Sequence, residues 1–578
     1  MTDEYTGADL FVDALGRYGV EYVFGNPGTT ELPVMNALAE RDIEYVLALH
    51  EDVAVGMAAG YASTRRYHAD ELRKSGGDEP RPLFDPTRCN PVGVANLHLA
   101  PGLAHGLGNL YGAKMAGAPI VVTAGNHSRG FRHEEPILSG NVVDLAEPFT
   151  KWSAEVLDVA ALPTMLRRAF RVALTPPTGP VFLGLPLDVM LSETDDEPER
   201  LGTIPTAGRG DLAQLERAAD LLAEAGDPVM VVGDGIARSG TDAVDAAVDL
   251  AEAAGVRVHG EILSSEIDFP ATHDQWVSYI PPDEELASML MNTDTLLFVG
   301  CSTNTTVIRH EGGLVDPETT CIHVGDDAWQ LGKNQPADVA VLGDPGETLS
   351  ELATLVAERL DPEIRAKRIE SVRETAEAME TSIRKLGEGD PEPGETRPSK
   401  ARLVDDLREV VPDAYVVDEG VTAKYAMLTR WPFEAGGMIS NKGGGLGYGL
   451  PAAVGAAIAE SERDDPRTVL GFIGDGSYLY YPHAIYTAAR YDVDLTVVIS
   501  DNRNYRILKE NTTKLYGGEV TDHEYVGMDF EPAVDFVANA KSHGADAELV
   551  ETPEEIAPAL ERAIETEGPT VLDVLVHD

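Results

Sequence analysis

Two short polar segments near the carboxyl end of the chain have the residue types and the spacing of a cation site. The strand-like run 468–473 leads into Gly474-Asp475-Gly476-Ser477, and after a helical stretch a second strand-like run, 495–500, ends at Asp501-Asn502. A strand, a crossover helix and a parallel strand place both turns at the carboxyl edge of one sheet, where open α/β sheets bind ligands. One carboxylate and one amide oxygen suit Mg²⁺, which keeps its other positions for water and phosphate.

The tripeptide Gly-Asp-Gly alone is a weak signal, and the chain contains a second copy that serves as a control. Gly233-Asp234-Gly235 also follows a strand-like run, but the residue 27 positions after Asp234 is Glu261 in a strand-like stretch, whereas Asp475 has Asn502 at that offset. An ordinary turn between a strand and a helix is the alternative interpretation at both places. The complete unit therefore predicts a cation site at Asp475 and Asn502.

This unit resembles the signature of the thiamine diphosphate enzymes, in which Gly-Asp-Gly is followed after a similar spacer by Asn, usually preceded by another Asn. Asp501 stands where that first Asn is usual, which is a mild departure because the second position binds the metal in the family. The resemblance implies that Asp475, the Asn502 side chain and the Asn504 backbone carbonyl hold Mg²⁺. The cofactors it implies are thus thiamine diphosphate and Mg²⁺, with the cation binding the diphosphate.

The same resemblance assigns cofactor contacts in two other turns. Thr422, at the end of the strand-like run before it, would bind the diphosphate at a helix N-terminus. In the glycine-rich segment 442–447, the Gly444 carbonyl would receive the 4′-amino group and Leu446 would bend the cofactor into a V; the alternative is a turn that serves helix packing. The remaining implied cofactor-binding residues are Gly474, Asp475, Gly476, Ser477 and Asn502.

Candidate catalytic residues lie in the first third of the chain. Glu51 follows a strand-like run and begins a helix of small residues, where a carboxylate would ordinarily complement the helix dipole. The resemblance instead implies that Glu51 hydrogen-bonds N1′ of the aminopyrimidine and favours the tautomer whose imino nitrogen removes the C2 proton.

Two further turns resemble benzoylformate decarboxylase and its relatives. The segment 23–33 contains Thr29, where the family has a hydroxyl residue that can hold a substrate carboxylate, and the segment 96–102 contains His98, where it has a histidine that can shuttle protons near neutral pH. Without these flanking matches, His98 would be interpreted as an ordinary histidine at a strand end. Acetolactate synthases share the layout but typically have no histidine there. The family's second histidine has no clear counterpart, because the residues around His310 differ from the pattern.

The organisation of the chain predicts an α/β protein with three doubly wound domains built on parallel sheets. Its 578 residues exceed what one core can hold. We predict a pyrimidine-binding domain at 1–195 with an insertion near 66–92, a central domain at 205–360, a helical linker at 361–399, and a diphosphate- and Mg²⁺-binding domain at 400–578.

Acidic residues outnumber basic residues and are spread along the whole chain. There are 98 acidic and 45 basic residues, for a net charge of −53. Such a surface is typical of an intracellular protein from a high-salt organism, and it disfavours nucleic acid as a partner. A binder of basic partners is the less favoured alternative, since the acid is diffuse. The sequence has neither a signal-peptide pattern nor an apolar run of membrane-spanning length, so we expect a cytoplasmic protein without membrane contacts.

These patterns together predict the non-oxidative decarboxylation of a 2-oxo acid, as in benzoylformate decarboxylase. The alternative is carboligation of 2-oxo acids of the acetolactate synthase type. A non-catalytic nucleotide-binding protein on the same fold is a second alternative, disfavoured by the presence of Glu51, Asp475 and Asn502 together. In the family, the glutamate and the metal loop of one site come from different subunits. A homodimer or homotetramer with sites at the subunit interface is therefore implied.

Overall fold

The computed structural model describes residues 4–74, 89–302, 308–387 and 395–577. Within these ranges the chain forms three sheets of six strands, and the paired strands are parallel. Strands buried on both faces read as continuous apolar runs, as Val229–Val232 does. The predicted fold class is confirmed. No helix in the described ranges combines the length and the apolar character needed to cross a membrane.

The first domain has the strand order β2-β1-β3-β4-β6-β5. Its strands are β1 Tyr22–Gly25, β2 Glu44–Leu47, β3 Gly93–Leu97, β4 Ile120–Asn126, β5 Trp152–Glu155 and β6 Val181–Pro186. Its α-helices are α1 Gly7–Arg17, α2 Leu32–Leu38, α3 Glu51–Lys74, α4 Leu99–His105, α5 Leu107–Ala116, α6 Val142–Ala146, α7 Leu162–Leu174 and α8 Leu187–Met190. Short 3-10 helices occur at Thr29–Glu31, Arg132–Glu134, Glu147–Phe149 and Val159–Ala161.

The central domain has the order β12-β11-β10-β7-β8-β9. Its strands are parallel, and the direction in which successive strands are added changes between β7 and β10. Its strands are β7 Val229–Val232, β8 Arg257–Gly260, β9 Trp276–Tyr279, β10 Thr295–Val299, β11 Thr320–Gly325 and β12 Val339–Leu342. The helices are α9 Leu212–Glu224, α10 Gly235–Arg238, α11 Thr241–Ala254, α12 Glu284–Leu290, α13 Pro345–Arg359 and α14 Pro362–Gly387.

The third domain has the order β14-β13-β15-β16-β18-β17, which repeats the order of the first sheet. Its strands are β13 Tyr415–Glu419, β14 Met438–Ser440, β15 Val469–Gly474, β16 Leu495–Asp501, β17 Asp546–Val550 and β18 Pro569–Leu575. The helices are α15 Lys400–Val410, α16 Lys424–Arg430, α17 Gly449–Ser461, α18 Asp475–Tyr478, α19 Ala484–Arg490, α20 Arg506–Tyr516, α21 Phe536–Ser542 and α22 Pro553–Glu565. Short 3-10 helices occur at Val421–Ala423 and Val520–Asp522.

Helices α3 and α17 join the first and third domains by close backbone packing. A Cβ atom at Gly60 would lie 2.1 Å from the Ala452 carbonyl oxygen, and one at Gly455 would lie 2.0 Å from that of Met57. Only glycine permits this approach. The two helices lie in one apolar core that extends into both sheets, so the first and third domains share a common interior.

The predicted insertion near 66–92 begins too early. Helix α3 continues through Lys74, and residues 75–88 lie outside the described ranges. Polar partners in the other domains hold this end of the helix: the His68 Nε2 atom lies 2.8 Å from Glu460 Oε1, and Asp70 Oδ2 accepts a 2.9 Å hydrogen bond from the Thr241 N–H. These partners are distant in sequence, so local polarity wrongly indicated a surface segment. The domain limits stay predictions.

Candidate functional site

A pocket lies at the carboxyl edge of the third sheet, where β13, β15 and β16 end. Gly474 on β15 is paired with Ser500 on β16, so the turns that follow these strands are adjacent. Eight of the residues predicted from the sequence line this one pocket: Thr422, Leu446, Gly474, Asp475, Gly476, Ser477, Asn502 and Asn504. Gly444 is exposed on the loop before α17 and does not line it.

Asp475 is the most unusual group in the pocket. Its side chain is buried, and its Oδ1 atom accepts a 2.7 Å hydrogen bond from the Gly476 N–H. Its Oδ2 atom is buried without a hydrogen-bond partner among the described residues, and so is the Ser477 hydroxyl. Burial, and then the negative charge of Asp501, raise the pKa of Asp475 to about 8. Without a cation the group is therefore protonated at neutral pH, and a cation beside Oδ2 would favour its ionised form.

The backbone of the two turns facing this carboxylate is strained. Arg503, between Asn502 and Asn504, has a φ of 60°, and Val421, beside Thr422, has a φ of 53°. Left-handed backbone is rare for a non-glycine residue and is an outlier for a β-branched one, and such strain clusters at ligand sites. With Asp475 and the Asn502 amide supplying oxygen ligands, the pocket fits Mg²⁺ and a diphosphate.

Two more buried carboxylates share this edge of the domain. Burial raises the pKa of Asp573 on β18 to about 7, with Asp501 adding to the effect. Burial also raises the pKa of Glu419, at the end of β13, to about 7. The Glu419 carboxylate accepts hydrogen bonds from the Gly447 N–H at 3.1 Å and the Gly449 N–H at 2.8 Å. Glu419 thus holds the end of the glycine-rich loop, a role that sequence analysis missed.

These raised pKa values predict that the free energy of unfolding of the cation-free protein decreases as the pH rises above neutral. A carboxyl whose pKa is higher in the folded than in the unfolded chain stabilises the fold while it is protonated, and that contribution is lost as the pH rises through the folded value. For Asp475, Asp573 and Glu419 this window lies around pH 7 to 8. We expect the melting temperature in a metal chelator to fall by about 5 °C between pH 6 and 9. An Asp475→Asn, Asp573→Asn double variant should show a shallower fall, and a flat wild-type profile would contradict the prediction.

Glu51 lies at the corresponding edge of the first sheet, at the start of α3. Its Oε2 atom lies 3.1 Å from His105 Nδ1, and the His50 and His105 rings stack with centroids 5.2 Å apart. A metal ion could also be held here, because one possible ligand atom from each of His50, Glu51 and His105 lies within 4.8 Å of the other two. Among the described residues, the Glu51 carboxylate makes no hydrogen bond with a residue of the Asp475 pocket. Glu51 does not line that pocket, although the neighbouring His50 ring lies 5.2 Å from the Tyr481 ring of the third domain.

His98 and Thr29 follow the ends of β3 and β1, which are neighbouring strands. The His98 Nδ1 atom lies 2.7 Å from Glu31 Oε2 and 3.3 Å from Thr30 Oγ1. Glu31 is only 1 % exposed and also accepts hydrogen bonds from the Gly28 and Gly125 N–H groups, each at 2.9 Å. Thr29 itself is exposed. Sequence analysis missed Glu31 and Thr30, although both stand beside Thr29 in the turn that it had singled out.

Comparison with known proteins matches all three domains. Family models of the thiamine pyrophosphate enzymes match residues 5–144 as the N-terminal binding domain, 215–352 as the central domain and 420–574 as the C-terminal binding domain. Benzoylformate decarboxylase of Pseudomonas aeruginosa is 30% identical over 97% of each chain. The large subunit of acetolactate synthase isozyme 3 of Escherichia coli is 27% identical over 97% of this chain and 92% of that protein.

Solved structures give the same result. The thiamine diphosphate-dependent 4-hydroxybenzoylformate decarboxylase of Rhodococcus jostii superposes with a TM-score of 0.81, at 28% identity and over 99% of both chains. The three-domain layout, the Asp475 pocket and these likenesses over nearly the whole chain agree. The chain belongs to the thiamine pyrophosphate enzyme family, whose members include decarboxylases and acetolactate synthases.

Proposed function

We propose that this protein catalyses the non-oxidative decarboxylation of a 2-oxo acid with thiamine diphosphate and Mg²⁺. The observation that carries the proposal is the pair formed by His98 and buried Glu31 at the carboxyl edge of the first sheet. Glu51 follows β2 and His98 follows β3, and β1 lies between these strands, so both side chains belong to one edge. A histidine held by a buried carboxylate is suited to move a proton near neutral pH.

The roles of the side chains follow from their positions. Thiamine diphosphate, when bound, supplies the thiazolium that accepts the electrons as CO₂ leaves. Glu51 would hold a proton against the pyrimidine ring, and His98 would deliver or take one at the substrate. The Thr29 hydroxyl would bind the substrate carboxylate. Asp475, the Asn502 amide and the Asn504 carbonyl would hold Mg²⁺.

Carboligation of the acetolactate synthase type is the second candidate, favoured by the 27% identity to the Escherichia coli enzyme. Product analysis in high salt with Mg²⁺ and thiamine diphosphate, offering pyruvate and benzoylformate separately, distinguishes the two. We expect an aldehyde from at least one substrate and no acetolactate from pyruvate. The His98→Ala variant should form the aldehyde about 100-fold more slowly, whereas the exposed His133→Ala should not. Acetolactate as the main product would overturn the decarboxylase assignment.

We also propose that the working protein is a homodimer or homotetramer with each site shared between two subunits. Its support is that Glu51 does not line the Asp475 pocket of its own chain and that its carboxylate contacts His105 instead. Coexpressed Glu51→Gln and Asp475→Asn subunits should then regain activity, because a hybrid dimer contains one site with both native residues. With random pairing, half of the dimers are hybrids with one intact site of two, so about a quarter of the wild-type activity is expected.

The control for this hybrid experiment pairs Glu51→Gln subunits with the Glu51→Gln, Asp475→Asn double variant, which can form no intact site. If the hybrids were no more active than this control, the two residues would have to act within one chain, against the proposal.

A further inference from the structure

The second Gly-Asp-Gly segment, 233–235, binds the side-chain ammonium group of a lysine from the third domain. Asp234 follows β7 and Glu261 follows β8, and these strands are neighbours. The Lys442 Nζ atom lies 2.6 Å from Asp234 Oδ2 and 2.7 Å from Glu261 Oε1. The Asp234 N–H donates a 3.2 Å hydrogen bond to Glu261 Oε1. The 27-residue spacing from Asp234 to Glu261, which served as a control in the sequence analysis, therefore brings two carboxylates together with the Lys442 ammonium group between them.

These three side chains form a buried ion triad, and the Arg238 guanidinium lies 3.6 Å from Asp234 at its edge. The side chains of Asp234 and Glu261 are 0% exposed and that of Lys442 is 1% exposed. Asp234 also accepts a 2.6 Å hydrogen bond from the Ser265 hydroxyl, and Glu261 accepts one of 2.9 Å from the Ser302 N–H. Burial alone would lower the pKa of Lys442, but the two carboxylates raise it. Breaking such a triad on one side leaves an uncompensated buried charge and is strongly destabilising.

Lys442 directly precedes the glycine-rich loop 443–447. Glu419 fixes both ends of this segment: the Asn441 side-chain amide donates to Glu419 Oε1 at 2.7 Å, and the Gly447 N–H donates to the same atom at 3.1 Å. Within the loop, Gly444 has a φ of 72°, and a Cβ atom there would meet nothing within 4 Å. The middle of the loop is held by the residue next to Lys442: the Gly444 N–H donates a 3.0 Å hydrogen bond to Asn441 Oδ1, and the Asn441 side-chain amide donates one of 2.6 Å to the Gly445 carbonyl oxygen.

All three domains meet at this loop. A Cβ atom at Gly443 would lie 2.9 Å from the Gly112 Cα atom of α5 in the first domain. The Ser440 N–H, at the end of β14, donates a 2.9 Å hydrogen bond to the Ser265 carbonyl oxygen of the central domain. Since Leu446 also lines the Asp475 pocket, a displacement of the loop would alter the pocket wall.

We propose that Lys442 is a positioning residue for the cofactor: by inserting between Asp234 and Glu261, it holds the loop 443–447 in the conformation that receives the pyrimidine half of thiamine diphosphate. The central domain would thereby support a pocket that its described residues do not line. This inference rests on the proposed function. The competing interpretation is that the triad only joins two domains, without effect on the loop.

The test separates these interpretations by removing the three charges of the triad together. Arg238, whose guanidinium lies 3.6 Å from Asp234 Oδ2, keeps Glu266 as a partner at 3.7 Å. The variant Lys442→Met, Asp234→Asn, Glu261→Gln replaces the triad by neutral side chains of similar size, which buried ion pairs often tolerate. We expect it to fold, with a melting temperature near that of the wild type. Its Kd for thiamine diphosphate in saturating Mg²⁺, measured by quenching of protein fluorescence, should rise on the order of tenfold. Its kcat at saturating cofactor should change less.

The control neutralises an ion pair between the first and central domains that shares no residue with this cluster, Arg73 and Asp242, with Arg73→Met and Asp242→Asn. It should leave the cofactor Kd unchanged. Asp234→Asn alone keeps Glu261 as a partner of Lys442 and therefore the fold, and it should raise the Kd by about threefold.

An unchanged Kd in the folded triple variant, or in Asp234→Asn if the triple variant does not fold, would overturn the positioning role. If the wild-type protein itself did not bind thiamine diphosphate with Mg²⁺, the proposed function would fail instead, so the two failures are distinguishable.

Discussion

Glu51→Gln should reduce turnover by on the order of 1,000-fold while Mg²⁺ and thiamine diphosphate still bind. The amide has nearly the same shape as the carboxylate, so the Glu51 position at the start of α3 is kept. The amide introduced by this substitution cannot exchange a proton with the pyrimidine ring, however, and the cofactor would remain in its unreactive tautomer. The measurement is the steady-state rate of aldehyde formation, together with a cofactor titration by fluorescence and the rate of hydrogen exchange at C2 by NMR.

The matched control for this substitution is Glu40→Gln. Glu40 belongs to the same domain, and its largely exposed side chain lies 3.9 Å from Arg41. It should leave both rate and binding unchanged. Undiminished turnover or undiminished C2 exchange in Glu51→Gln would remove Glu51 from the chemistry.

Asp475→Asn should have two effects of opposite sign. It removes the carboxylate ligand of the proposed cation, so the affinity for Mg²⁺ and, with it, the affinity for thiamine diphosphate should fall at least ~100-fold. It also removes a buried group whose pKa burial and Asp501 raise to about 8. At pH 8.5 and without cation, the variant should therefore melt about 2 °C higher than the wild type.

Calorimetric titration with Mg²⁺ and thermal melting in a chelator measure these two effects. Asp494→Asn is a suitable control, since the Asp494 carboxylate accepts a 2.7 Å hydrogen bond from the Gly568 N–H and does not line the pocket. A cation-free variant that melts below the wild type at pH 8.5 would contradict the assignment of a raised pKa to Asp475. Retained Mg²⁺ affinity would contradict its role as a ligand.

The elements that local sequence patterns specify were predictable. Alternating apolar runs and helical stretches predicted three parallel-sheet domains, and the spacing of Gly474 to Asn502 placed two turns side by side. Parallel strands joined by a crossover helix have few alternative arrangements, so a motif of this kind determines its own geometry. The position of Asp475 at the carboxyl edge of the third sheet follows from such local rules.

Contacts between segments that are distant in sequence could not be predicted. Lys442 lies 181 residues from Glu261, and His98 lies 67 residues from Glu31. No local period or spacing connects such partners, because tertiary packing alone brings them together. The prediction that the insertion begins near residue 66 was wrong for the same reason. The polar end of α3 is buried by residues of the other two domains, which are distant in sequence.

The shared strand order of the first and third sheets has an evolutionary consequence. Helix α3 connects the second and third strands of one sheet, and α17 connects the corresponding strands of the other. Glu51 and the glycine-rich loop therefore hold corresponding positions, each at the start of the same connection in two sheets of the same strand order. The α3–α17 contact is what a duplicated ancestor would retain from the interface of a self-paired single domain. After such a duplication, one copy could specialise in proton transfer and the other in holding the diphosphate, and neither would be sufficient without the other.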